Sequence, residues 1–290
     1  MKKTTDKVTI DSLRAKKAHG RKITRVVLWD YPMACIADAA GVDMILVGDS
    51  VGMCVLGYPN TLPVTMDEMV HHCRAVTRGA QRCMVVGDLP FMSYESDVSD
   101  AVKNAGRLVK EGGVDAVKLE GGEYIAESVH AISQSGIPVH GHIGLTPQKM
   151  KQLGGFKTQG KTVDSAVKLF KEATVLAEAG CFAITVECVP PIVGKLMSER
   201  LPSVIIVSAG AGPDCDGQSV NLYDTIGLTQ GNTPKFSKQY ADVSDLVHSS
   251  VEAYCRETEQ KIFPAPENCY NIDEALSARI AETIDGTVEK

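Results

Sequence analysis

Short apolar strands that end on a polar residue recur along this chain, with helical segments between them. The plainest case is Met44–Val47, which is entirely apolar and is followed at once by Gly48, Asp49 and Ser50. A short, β-branched apolar run of this kind is typical of a strand that is buried on both faces, as in a parallel sheet. Because the strands of such a sheet alternate with helices, the repetition points to an α/β fold.

The alternation predicts a closed barrel. The expected strands cover residues 24–29, 44–47, 83–86, 116–119, 137–143, 182–186, 204–207 and 219–223. Eight strand–helix units predict a (β/α)8 TIM barrel in a single domain. A doubly wound open sheet is the alternative, but its first strand should lead into a glycine-rich phosphate-binding turn, and Asp30, Tyr31 and Pro32 follow instead. We expect the barrel, with a short leading helix, to occupy residues 1–270 and a polar tail to occupy 271–290.

Composition excludes several classes of function. The net charge is −6 and charges of both signs are mixed along the chain, which argues against a nucleic-acid partner. No apolar run reaches the ~18 residues that a membrane span needs, and the basic N-terminus lacks the apolar core of a signal peptide. The nine cysteines are scattered without a C-x-x-C pair. We therefore expect reduced thiols in a cytoplasmic protein.

Polar residues follow the predicted strands, where a barrel carries its active site. They are Asp30, Asp49, Asp88, Lys118, Glu120, His142, Glu187 and Asp224. Any one of these acids can be a turn former or a helix cap, but the whole set predicts a convergent polar pocket. Several carboxylates repel one another, and a donor set made of oxygen atoms favours a hard cation such as Mg²⁺. Such an ion keeps open positions that suit the two oxygens of an α-keto acid.

Three of these residues allow more specific interpretations. Lys118 has apolar neighbours, so we expect a buried cation for a substrate carboxylate, with a surface lysine as the alternative. His142 lies between two glycines and is expected to donate to a substrate oxygen, unless it is a structural histidine. Glu187 is the single acid of the apolar run 182–191. Burial there would raise its pKa toward the working pH, as a general base for a carbon acid requires; a buried glutamate satisfied by backbone donors is the alternative.

Six stretches carry a resemblance to a known family. They are LVGDSVGM (46–53), TLPVT (61–65), DLPFMSY (88–94), VKLEGG (117–122), GHIGLTPQ (141–148) and ECVP (187–190). In these motifs the chain resembles the ketopantoate hydroxymethyltransferase (3-methyl-2-oxobutanoate hydroxymethyltransferase) family of the phosphoenolpyruvate/pyruvate superfamily. The resemblance implies a (β/α)8 barrel that forms a homo-oligomer, a decamer of pentameric rings. It also implies Mg²⁺ as the cofactor and 5,10-methylenetetrahydrofolate as the co-substrate.

The resemblance also implies a role for each matching residue. The metal ligands would be Asp49, Asp88 and Glu120. The substrate contacts would be Asp49, Ser50, Asp88, Lys118 and His142. Glu187 would be the catalytic base that removes the C3 proton of 3-methyl-2-oxobutanoate. The metal-stabilised enolate would then attack the folate-borne one-carbon unit and give 2-dehydropantoate (ketopantoate), in pantothenate biosynthesis.

The chain departs from the family pattern at Trp29 and Ser208, and we expect both to reshape the acceptor or folate pocket. Two alternatives stay within the superfamily: a metal-dependent C–C lyase or decarboxylase, and a hydroxymethyltransferase that acts on a different 2-oxo acid. A third is a catalytically silent paralogue with a binding or assembly role. The complete set of acids, lysine and histidine argues against the last of these.

Overall fold

The computed structural model describes residues 6–155 and 157–288. Residues 1–5 and 289–290, which belong to the outer ends of the expected barrel and tail, lie outside the described residues. By packing, the chain divides into two compact units, of which the first ends at Ala241 and the second begins at Asp242. The boundary expected after residue 270 stays a prediction.

Eight parallel strands close into a barrel in chain order. They are β1 (Ile23–Val27), β2 (Met44–Val47), β3 (Met84–Asp88), β4 (Ala116–Glu120), β5 (Val139–Gly144), β6 (Cys181–Glu187), β7 (Ile205–Ala209) and β8 (Gly217–Asn221). The closure is made by β8, which pairs in parallel with β1 and places Ser219 opposite Arg25. The predicted (β/α)8 barrel is confirmed, and the open doubly wound sheet is wrong because no edge strand remains.

Helices connect the strands. They are α1 (Ile10–Ala18), α2 (Tyr31–Ala40), α3 (Val51–Cys54), α4 (Met66–Gly79), α5 (Val98–Lys110), α6 (Ala126–Gln134), α7 (Met150–Leu153), α8 (Val163–Ala179), α9 (Pro191–Arg200), α10 (Leu222–Thr225), α11 (Val243–Glu259) and α12 (Glu274–Val288). Local signals set several of their ends. Thr65 and Glu68 form the capping box of α4, and Gly41 ends α2 with a positive φ of 94°. The helices α11 and α12 belong to the second unit.

Two apolar layers build the barrel unit. The inner layer fills the barrel with residues of alternate strand positions, such as Met44, Met84 and Val207, and Leu13 of α1 joins it. The outer layer packs the other strand faces against the surrounding helices. Polar side chains at the carboxyl ends of the strands, such as Asp88 and Glu120, line a cavity at the mouth of the barrel. No helix among the described residues is long and apolar enough to cross a bilayer.

Candidate active site

Three carboxylates converge at the mouth of the barrel. Asp88 and Glu120 are the last residues of β3 and β4, and Asp49 follows β2 by two positions. One oxygen from each lies within 4.8 Å of the others, and all three residues are buried. The backbone N–H of Asp49 donates to Asp88 Oδ2 at 3.1 Å, which joins the ends of two neighbouring strands. The structure thus brings together the three acids that the resemblance assigns to a metal.

Lys118 lies among these acids. Its Nζ is 2.8 Å from each oxygen of Asp88 and 3.1 Å from Glu120 Oε1. The side chain is 3% exposed, so the burial expected from its apolar neighbours is found. One lysine can neutralise only one of the three carboxylates. A buried charge without a partner is costly, so the remaining negative charge needs a further cation or a proton.

The negative charge of the cluster favours binding of a further cation. Burial first, and then the charges of Asp88 and Glu120, raise the pKa of Asp49 well above its usual value. Burial also opposes ionisation of Glu120, but Lys118 and His142 outweigh it and lower the pKa of Glu120 to about 2. The excess negative charge and the purely oxygen donor set of these three acids fit a hard divalent ion.

His142 connects this cluster to Glu187. Its Nδ1 lies 3.2 Å from Glu120 Oε1, and its Nε2 lies 3.2 Å from Glu187 Oε2. The second contact lacks the alignment of a hydrogen bond, so Nε2 is buried without a hydrogen-bond partner in the part of the chain that the structure describes. Burial disfavours the imidazolium, but the charge of Glu120 outweighs it and raises the pKa of His142. The His142 ring therefore lies between the carboxylate cluster and Glu187, with Nδ1 toward the first and Nε2 toward the second.

Glu187 is less buried than its apolar sequence context predicts. It is the last residue of β6, and its side chain keeps 18% exposure. The burial expected from the sequence is therefore only partial, because β6 ends at the rim of the mouth. A carboxylate at the rim can exchange protons with solvent and still face the cavity.

Gln148 and Tyr94, which were not among the predicted site residues, support the acid cluster through hydrogen bonds. Gln148 Nε2 donates to Asp49 Oδ2 at 2.9 Å and to Leu89 O at 3.0 Å, and its backbone N–H donates to Glu120 Oε2 at 3.1 Å. The Tyr94 hydroxyl donates to Gln148 Oε1 at 2.5 Å. Tyr94 lies in the connection after β3 and Gln148 in the 3₁₀ helix Pro147–Lys149 after β5, where a polar residue alone suggests a turn. Their places inside the DLPFMSY and GHIGLTPQ stretches are the signal that could have identified them.

The cluster opens into a cavity of about 160 Å³. Its lining contains every predicted catalytic, substrate and metal residue, namely Asp49, Ser50, Asp88, Lys118, Glu120, His142 and Glu187. Asp224 also lines it, but its two oxygens accept hydrogen bonds from Thr229 and Ser237. Asp30 does not line the cavity. Its Oδ1 instead caps α2 by accepting a hydrogen bond from Met33 N at 2.8 Å.

The two departures from the family pattern lie outside this lining. Trp29 is fully buried, and its Nε1 donates to Gly48 O at 2.8 Å. Ser208 Oγ accepts from Ala211 N at 2.9 Å. Neither side chain lines the cavity directly, and their expected effect on the acceptor or folate pocket stays a prediction. Arg25, which was not predicted, does line the cavity; a charged residue at an inward position of an apolar strand was its signal.

A closed parallel barrel with a buried carboxylate, lysine and histidine cluster at its mouth belongs to the (β/α)8-barrel enzymes with an acidic centre. Within that class the chain belongs to the ketopantoate hydroxymethyltransferase family, whose model matches residues 7–266. The 3-methyl-2-oxobutanoate hydroxymethyltransferase of Moorella thermoacetica is 51% identical over 264 residues, which cover 91% of this chain and 98% of that protein. The enzyme of the same name from Acetivibrio thermocellus is 50% identical over 269 residues, covering 93% and 95%.

Solved structures show the same fold at much lower identity. Phosphonopyruvate hydrolase, in a complex with oxalate and Mg²⁺, has a TM-score of 0.58 at 13% identity and covers 97% of this chain and 98% of that one. 2,3-dimethylmalate lyase, a member of the PEP mutase/isocitrate lyase superfamily, has a TM-score of 0.55 at 12% identity with the same coverage. At these identities the likeness shows the barrel fold alone.

Proposed function

We propose that the protein transfers a hydroxymethyl group from 5,10-methylenetetrahydrofolate to 3-methyl-2-oxobutanoate, giving 2-dehydropantoate for pantothenate biosynthesis. The observation that carries the proposal is the line of groups from the acid cluster through His142 to Glu187 in one small cavity. Relatives about 50% identical over most of their length carry the name of this activity.

The acid cluster is the proposed site for Mg²⁺ or another divalent cation. Asp49, Asp88 and Glu120 would hold the ion. When bound, it would supply Lewis-acid stabilisation of negative charge that develops on the keto oxygen of the substrate. Lys118 and Ser50, which line the same cavity, are the proposed contacts of the substrate carboxylate.

Glu187 is the proposed base. Its carboxylate lines the rim of the cavity, which supports its removal of the C3 proton of a bound 2-oxo acid. The enolate carbon then bonds to the folate methylene, both methylene–nitrogen bonds break, and water supplies the hydroxyl oxygen. The C3 proton and the remaining proton of the water end on the two folate nitrogens. His142, with its buried Nε2 beside Glu187, is the proposed donor to a substrate oxygen.

The test is a product analysis. The protein is incubated with Mg²⁺ and 3-methyl-2-oxobutanoate, with and without 5,10-methylenetetrahydrofolate, and the mixture is examined by NMR. Ketopantoate that forms only with the folate supports the proposal. Cleavage of a 2-oxo acid without folate would overturn it in favour of a lyase or decarboxylase. The absence of both reactions and of C3 deuteration in D₂O would favour a silent paralogue.

Two further expectations accompany this function. The resemblance implies a homo-oligomer of pentameric rings and a cytoplasmic enzyme, and both stay predictions. Size-exclusion chromatography with light scattering tests the first, because a monomeric mass would contradict it.

A further inference from the structure

Arg25 crosses the interior of the barrel from β1. Its Nε donates to Ser219 Oγ at 2.9 Å on the neighbouring β8. Its Nη1 donates to Thr185 Oγ1 at 2.7 Å on β6 and lies 2.9 Å from His140 Nε2 on β5. The guanidinium thus spans the barrel and lies between the apolar interior and the cavity, as part of the cavity floor.

One nitrogen of this guanidinium is left over. Nη2 has no hydrogen-bond partner within residues 6–155 and 157–288. It is also not among the fully buried polar atoms that lack a partner, so it keeps some accessible surface. Arg25 lines the cavity although it is only 3% exposed. The free N–H groups therefore face the cavity, where the fork geometry of a guanidinium suits a carboxylate or another acceptor oxygen.

Arg25 also has no carboxylate of the described residues within ion-pair distance. Its partners are two hydroxyls and a histidine. Burial, together with the charge of Arg25, lowers the pKa of His140 well below its usual value, so this neighbour is neutral. The charges of Asp88 and Glu187 favour this cation from beyond ion-pair distance. A buried cation without a direct ion pair still destabilises a protein.

We propose that Nη2 of Arg25 donates to an oxygen of the bound substrate. The floor of the cavity would then be a polar subsite in addition to the acid cluster. The chemistry recognised is an acceptor oxygen of a 2-oxo acid, and this substrate class rests on the proposed function. The oxygen belongs either to the substrate's own carboxylate or to its side chain, and the two sources give different results below.

The experiment measures binding, which does not depend on turnover. The protein and its Arg25→Met variant are titrated calorimetrically, in Mg²⁺, with 3-methyl-2-oxobutanoate and with the dicarboxylate 2-oxoglutarate. Loss of a hydrogen bond between charged groups weakens binding about 10- to 100-fold. If both acids weaken alike, Arg25 binds the common carboxylate. If only 2-oxoglutarate weakens, Arg25 binds an oxygen of the side chain.

Two variants separate a subsite from a structural role. Arg25→Gln keeps neutral donors without the charge, and it replaces Arg25→Met if the latter does not fold. Arg107→Met removes a surface arginine of α5 that pairs with Asp67 and Glu111 and should bind both acids normally. The subsite predicts that Arg25→Met binds more weakly while its unfolding temperature stays the same or rises, since the buried charge is gone.

Affinities of Arg25→Met within twofold of the parent for both acids would overturn the inference. So would a parent protein that binds neither acid. A parent that binds a 2-oxo acid in an Arg25-dependent way but makes no ketopantoate would leave this subsite standing and contradict the proposed function alone.

Discussion

Gln148 is the residue whose replacement tests most sharply how the acid cluster is held. In Gln148→Met the side chain keeps its length but loses the amide, so Asp49 Oδ2 and Leu89 O lose their donor. Tyr94 remains satisfied because its hydroxyl also lies 3.0 Å from Glu120 O. Two buried acceptors without a partner should lower the free energy of unfolding by about 2–6 kcal/mol.

The same change should weaken the binding of a divalent cation. Asp49 is oriented by the Gln148 amide, and loss of such a partner costs about 10- to 100-fold in metal affinity. Mn²⁺, which has a paramagnetic signal, can replace Mg²⁺ in an electron paramagnetic resonance titration of the free ion. Gln81→Met is the matched control, since the Gln81 amide donates to Arg78 O on the surface, in contrast to the buried network of Gln148.

Affinity and unfolding temperature are measured on the same samples of both variants. If Gln148→Met binds Mn²⁺ within twofold of the parent, the amide does not orient Asp49 for a metal. If it also unfolds at the parent temperature, the hydrogen-bond network has no measurable effect and the reasoning fails.

Three other predictions concern charge. Asp49→Asn should raise the free energy of unfolding of the metal-free protein in chemical denaturation at neutral pH, because a carboxylate whose pKa is raised in the fold destabilises it when ionised; added Mg²⁺ should then no longer raise the unfolding temperature. Lys118→Met should cost about 3–5 kcal/mol in chemical denaturation, because it leaves Asp88 and Glu120 without their cation. Because folding lowers the pKa of Glu120 from 4.5 to about 2, its stabilisation is present above pH 4.5 and lost as pH falls toward 2; Glu120→Gln should therefore flatten this acid limb, and an unchanged limb would contradict the assignment.

The barrel was predictable because its signals are local. Each strand is a short apolar run, and the polar residue after it lies at the shared mouth once the sheet closes. Asp88 and Glu120 illustrate this, since each ends its strand. Asp30 shows the ambiguity of the same pattern, because it precedes a helix and caps it.

The supporting residues were harder to predict because their partners are distant in sequence. Gln148 contacts Asp49 across 99 positions, and Arg25 contacts Thr185 across 160. No periodicity reports such pairs. The exposure of Glu187 likewise depends on where β6 ends relative to the rim, which the apolar run does not define.

The role proposed for Glu187 is removal of the C3 proton of a 2-oxo acid bound beside the acid cluster. Its most direct test is deuterium incorporation at C3 of 3-methyl-2-oxobutanoate in D₂O with Mg²⁺, followed by NMR for the parent, Glu187→Gln, and the surface control Glu199→Gln. We expect exchange by the parent and the control, and a loss of about 10²- to 10⁴-fold in Glu187→Gln, the usual contribution of a general base, with Mn²⁺ affinity retained. Near-normal exchange in Glu187→Gln would contradict the claim.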